Sequence, residues 1–149
     1  MNVIFTCGGT GGHINPALAT AGEIRERYPD AEILFAGTKR GMESRLVPNA
    51  GFDFTPIEVR GFQRQFSLRN LKNNILAVKC LLTSQFRARK IIREFKPDVV
   101  IGTGGYVCWP LLRAAALAGI PTMVHESNCK PGLAVKMLQH SVDTVLLNF

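Results

Sequence analysis

Short apolar runs that do not alternate with polar residues constrain this chain most. Residues 3–6 (V-I-F-T), 32–36 (E-I-L-F-A), 98–101 (D-V-V-I), 121–124 (P-T-M-V) and 144–147 (T-V-L-L) are each of strand length. A strand with one wet face would alternate, so these read as strands buried on both faces. Segments with helical character lie between them, at 16–28, 42–50, 70–95, 109–118 and 131–139. Gly37, Gly51, Pro97 and Gly119 punctuate their ends. Residues 54–59 add a strand of edge character, because Pro56 cannot donate to a ladder. Alternation of this kind predicts an α/β fold, a doubly wound parallel sheet with right-handed crossovers. The 149 residues suffice for one domain with its own core. Ligands in such a fold bind outside the carboxyl ends of the strands, so those ends are where chemistry is sought.

Three strand ends are unusual. After the first strand the chain reads C-G-G-T-G-G-H-I-N-P-A over residues 7–17. Gly8, Gly9, Gly11 and Gly12 let another molecule approach the backbone closely. Pro16 suits the first turn of a helix, so the helix is expected to start there. Its unpaired N–H groups suit a diphosphate or a developing oxyanion, and His13 stands at the same mouth. The glycine spacing is neither G-x-G-x-x-G nor a P-loop. After the fourth strand comes G-T-G-G-Y, residues 102–106, leading through Trp109 and Pro110 into a helix. After the fifth comes H-E-S-N, residues 125–128, then Pro131 and Gly132. A parallel sheet puts all three on one edge, gathering His13, Tyr106, His125, Glu126 and Asn128 around one cleft. Each has a plain structural alternative: close packing for Gly104 and Gly105, a backbone-bonded His125, an orienting Glu126, and a helix cap for Asn128.

Charge is distributed unevenly. Residues 60–96 hold ten Lys/Arg and one acid, a local charge of +9, whereas the rest of the chain sums to −2. In the long helix Leu68, Leu71, Ile75, Val78, Leu82, Phe86 and Ile92 recur at helical spacing and predict a buried face. Phe62, Phe66 and Leu68 are interleaved with Arg60, Arg64 and Arg69. Cations among apolar side chains suit an anionic bilayer surface, each cation contributing about 1 kcal/mol near it. The residues expected to associate with a membrane are Phe62, Arg64, Phe66, Arg69, Lys72 and Trp109, although Trp109 beside Pro110 also fits a core position. Nucleic acid is the competing partner and is not favoured, since no nucleic-acid motif is present. The four cysteines make no C-x-x-C pair and no metal spacing, and read as free thiols. No signal peptide or membrane span is expected.

G-G-T-G-G-H-x-x-P-A, G-T-G-G-Y-x-x-x-P and H-E-x-N, in that order, resemble the MurG family of bacterial cell-wall glycosyltransferases. The resemblance covers the whole chain and matches the N-terminal half of such enzymes. It implies a Rossmann-like N-terminal domain of the GT-B arrangement, residues 1–149, whose C-terminal partner domain holds most of the sugar nucleotide. The implied reaction is inverting transfer of N-acetylglucosamine from UDP-GlcNAc to lipid I, a lipid-linked diphosphate acceptor, giving lipid II. An acceptor hydroxyl must lose a proton, and His13 is the expected base, with Glu126 an orienting group or alternative base. Substrate contacts are implied for Gly9, Thr10, Gly11, Gly12, Asn15, Gly104, Gly105, Tyr106, His125 and Asn128. The resemblance implies no metal and no cofactor, UDP-GlcNAc being a substrate. It implies peripheral attachment to the anionic cytoplasmic face of the plasma membrane. The chain departs from the family at Ser127, where Gln is common, and at Val135, where Asn is common. A GT-B half with another polyprenyl or glycolipid acceptor, and a non-catalytic membrane-surface module, are the alternatives.

Overall fold

A computed structural model of the chain describes residues 1–59 and 68–149, with the side chains of residues 1–59, 80 and 83–149. Six strands form one sheet, every pairing parallel: β1 (Asn2–Cys7), β2 (Glu32–Gly37), β3 (Asp53–Pro56), β4 (Val99–Gly104), β5 (Thr122–Glu126) and β6 (Thr144–Leu147). Their order across the sheet is β3-β2-β1-β4-β5-β6. Helices α1 (Gly11–Arg27), α2 (Glu43–Asn49), α3 (Leu68–Phe95), α4 (Cys108–Leu117) and α5 (Leu133–Leu138) link the strands. This is the doubly wound arrangement expected from the alternation, and its order reverses between β1 and β4.

Strand parity explains why the central runs carry no polar alternation. Val3, Phe5 and Cys7 of β1, with Phe35 of β2, join Ile14, Ala17 and Ala21 of α1 and Val47 of α2 in one apolar layer. Ile4, Ala36, Val100 and Val124 face the other way, onto Leu111 and Leu112 of α4, Leu138 of α5 and Ala88 of α3. Successive residues point to opposite faces, and both faces are covered. Phe5 and Phe35 stack with ring centroids 5.1 Å apart. Full burial of each such side chain stabilises the fold by roughly 1.5–3 kcal/mol.

Two expectations change here. First, α1 begins at Gly11, five residues before Pro16, so Pro16 lies inside the helix. Thr10, in extended backbone, is its N-cap, and its carbonyl accepts from the N–H groups of His13 and Ile14 (both 3.1 Å). Gly11 and Gly12 are therefore in the first turn itself, and His13 is a helical residue. Second, Phe86 is 71% exposed. The buried face of α3 runs through Ser84, Ala88, Ile91 and Ile92, and Phe86, two residues from both Ser84 and Ala88, falls on the opposite side. The side chains of Leu68, Leu71, Ile75, Val78 and Leu82 lie outside those described. So do residues Phe62, Arg64 and Phe66, and the side chains of Arg69 and Lys72. Trp109 is half-buried against the core, with the Arg113 guanidinium 5.5 Å from its ring centroid.

Candidate functional site

The β1–β4 junction builds the site. Their register slips between Thr6, opposite Gly102, and Cys7, opposite Gly104, so Thr103 is an extra residue on β4. Such bulges re-aim side chains. Here Thr103 clasps His13: its hydroxyl donates to the His13 carbonyl (2.6 Å), and its own carbonyl meets His13 Nδ1 at 3.0 Å. A carbonyl only accepts, so Nδ1 carries the ring proton. In the neutral ring the bare lone pair then lies on Nε2.

Gly104 and Gly105 make this approach possible. Both have positive φ, +119° and +92°. A Cβ at Gly104 would overlap the His13 ring, and one at Gly105 would strike the Gly8 carbonyl. Their role is close approach of loop to loop, beyond the strand–helix packing that glycine ordinarily serves.

His13 stands between two recesses. One, of about 170 Å³, is lined by His13, Gly104, Gly105, Tyr106, Glu126, Asn128 and the start of α5. The other, of about 290 Å³, is lined by Gly8, Gly9, Thr10, Thr38 and Val107, again with His13, Gly105 and Tyr106. Tyr106 is 43% exposed and borders both. The G-T-G-G-Y segment and the glycine loop thus meet as expected. Two of the loop amides are already committed, however: Gly8 N–H donates to the Gly104 carbonyl (3.2 Å) and Gly9 N–H to Glu43 (3.3 Å). Gly11 and Gly12 open α1, where an amide has no carbonyl of its own helix to reach. Their N–H groups, with the positive end of the helix dipole, suit an anion. Thr10 makes no side-chain cap bond.

Glu126 ends β5 and is buried to 2% exposure. Its carboxylate accepts from Asn128 N–H (2.9 Å), Asn128 Nδ2 (2.7 Å) and Gly132 N–H (2.7 Å). Burial pushes its pKa up, but these hydrogen bonds outweigh that and hold the carboxyl below its usual range. It is an ionised, fully engaged group. Asn128 is not a helix cap, since α5 starts after Gly132. Its amide nitrogen is held by Glu126, which leaves its carbonyl oxygen to the recess.

Four expected residues line neither recess: Gly11 and Gly12, which lie between recess-lining Thr10 and His13, together with His125 and Asn15. His125 precedes Glu126 in β5 and so faces the other side of the sheet, where Nε2 meets Asn148 Oδ1 at 2.8 Å. It lines neither recess. Asn15 is exposed on α1 and lines neither. Glu43, Thr38 and Thr103 are the residues the motifs did not single out. The one sequence sign of Glu43 is that Gly37 and Gly41 closely precede it. Thr103 lay inside a quoted motif, but its bulge is a property of the β1–β4 register.

Known proteins share this fold. Residues 3–147 match the glycosyltransferase family 28 N-terminal domain. The chain is 52% identical, over its whole length, to the UDP-N-acetylglucosamine–N-acetylmuramyl-(pentapeptide) pyrophosphoryl-undecaprenol N-acetylglucosamine transferase of Acetivibrio thermocellus. It spans 39% of that relative's length. The crystal structure of Acinetobacter baumannii MurG superposes with a TM-score of 0.83 at 30% identity, over 99% of this chain and 41% of the other. The Streptomyces glycosyltransferase SsfS6 shares the fold, with a TM-score of 0.63 at 20% identity over 92% of this chain and 42% of its own. A match over nearly every residue places this chain in glycosyltransferase family 28, as a member of its N-terminal domain.

Proposed function

We propose that this chain is the acceptor-binding part of an inverting glycosyltransferase that moves N-acetylglucosamine from UDP-GlcNAc to the muramoyl sugar of a polyprenyl diphosphate. The observation that carries this reading is the His13–Thr103 clasp. It makes Nε2 the unprotonated nitrogen of the neutral ring, on a residue that lines both recesses and belongs to the first turn of α1. The activity for which the Acetivibrio thermocellus relative is named supplies the substrate class. The acceptor diphosphate docks on the Gly11 and Gly12 amides, beside Thr10. Its sugar hydroxyl reaches His13 Nε2, which takes the proton as the oxygen bonds to the anomeric carbon and the bond to UDP breaks. Glu126 keeps Asn128 and the loop up to Gly132 in place, and its lowered pKa makes it a poor base. The sugar nucleotide is held chiefly by a C-terminal domain. Attachment to an anionic cytoplasmic membrane surface follows from the basic segment. Its described part presents Phe86 to solvent beside exposed Arg87, Arg89 and Lys90. No helix among the described residues is long and apolar enough to cross a membrane.

Titration of the isotopically labelled chain, followed by NMR, tests this reading. A soluble lipid I analogue is expected to shift Gly11–His13 and Gly104–Tyr106, and UDP-GlcNAc only weakly. No response to the acceptor with the fold intact would remove the peptidoglycan assignment and favour another lipid-linked acceptor or a surface-binding module.

A further inference from the structure

Glu43 has no place in the chemistry above, yet it is the only glutamate besides Glu126 that is buried among the described residues, with 0% exposure. No Lys, Arg or His pairs with it among those residues. A buried carboxylate without a cation persists only when its lone pairs are filled. Oε1 accepts from Thr38 N–H (2.8 Å) and Thr38 Oγ (2.6 Å), and Oε2 accepts from Gly9 N–H (3.3 Å). The two oxygens thus serve two different loops, one after β2 and one after β1. Glycines make the room: a Cβ on Gly8 would come within 2.8 Å of Oε1, and one on Gly37 within 2.5 Å of Cγ.

Both tied residues border the recess that begins at His13. Gly9, at φ +91°, is the residue where the chain turns before Thr10 and the first turn of α1. We propose that Glu43 is a positioning residue that locks the Gly9–Thr10 turn against Thr38, so that the Gly11 and Gly12 amides are presented to the acceptor diphosphate in one fixed arrangement. It draws the Gly9 amide away from the ligand and thereby sets which amides remain. The proposal rests on the acceptor reading above for its ligand. A plain structural role, an acid at the start of α2, would need neither the Gly9 bond nor any effect on ligand affinity.

Glu43→Gln separates the two. The amide has nearly the same shape, but one arm becomes a donor, so it cannot satisfy Gly9 N–H and Thr38 N–H together. Hydrogen exchange at Gly9 and affinities for inorganic pyrophosphate and for a soluble lipid I analogue are measured on the wild-type chain and on E43Q. Melting temperature is followed in parallel. The wild type is expected to protect the Gly9 amide although Gly9 is exposed. E43Q is expected to lose that protection and to bind both probes about tenfold more weakly while remaining folded. If pyrophosphate binds and weakens in this way but the lipid analogue never binds, the acceptor reading falls and the role of Glu43 stands. Unchanged affinity after loss of Gly9 protection overturns the proposal. So does a wild-type Gly9 that exchanges freely, which can be read even if E43Q does not fold, or a wild type that binds neither probe.

Discussion

The two flanks of the cleft are built around the same device at different ranges. On one flank Glu126 accepts three N–H groups, all from residues two to six positions further along the chain. On the other, Glu43 also accepts three hydrogens, but one comes from Gly9, 34 residues away. The first flank is therefore a local turn that can form as its own segment folds. The second exists only once β1, β2 and their loops have assembled. A short-range tie fixes the shape of one loop, whereas a long-range tie fixes one loop against another, and only the second couples the geometry of the glycine loop to a distant part of the chain.

The flanks meet where Gly8 and Gly105 touch, so the largest effect is expected there. Gly105→Ala places a methyl against the Gly8 carbonyl and forces a side chain into φ +92°. Urea denaturation should show a loss of about 3 kcal/mol or more. A loss under about 1 kcal/mol would mean that the two loops are not rigidly apposed.

Glu126→Gln breaks the local flank alone and is expected to cost about 1–3 kcal/mol at neutral pH, because one buried N–H then faces a donor. The pH dependence carries the sign. A carboxyl whose folded pKa is lowered gives its stabilisation in full above the unfolded value near 4.5, and loses it as pH falls through the folded value. The stability gap between wild type and variant should therefore be constant from neutral pH to about 5 and shrink below that. A gap that widens in acid would contradict the assignment of an ionised Glu126.

The smallest effect sharpens the seam between the flanks. Cys108 Sγ donates to the carbonyls of Thr6 (3.1 Å) and Gly104 (3.0 Å), so this thiol spans β1 and β4. Burial pushes its pKa up to about 12, and burial raises that of Cys7 as well. Aromatic disulfide reagents at pH 8 should modify exposed Cys129 quickly, and Cys7 and Cys108 only on unfolding. Labelling of Cys108 at the rate of Cys129 would show the seam to be open.

What the sequence revealed divides along the same line of range. The central strands were legible because a run such as V-I-F-T needs both faces covered, whatever its partners. His13 was legible because glycines crowd it. The start of α1 was not, since glycine is a poor helix former and Pro16 a good first residue. Contacts with Thr103 and the Thr10 carbonyl override both tendencies. His125 looked like a member of the cleft because it adjoins Glu126. Extending β5 by two residues to Glu126 shows by parity alone that the two face opposite ways. Glu43 gave no motif, because its meaning lies in a partner 34 residues off.

The central claim is that a bare Nε2 of His13 faces the acceptor. Nitrogen NMR of the chain labelled with ¹⁵N in histidine measures this directly. The account predicts that neutral His13 carries its proton on Nδ1, and that the Nε2 signal moves when the soluble lipid I analogue is added. A proton found on Nε2, with Nδ1 bare, would contradict the Thr103 clasp and remove His13 as the base.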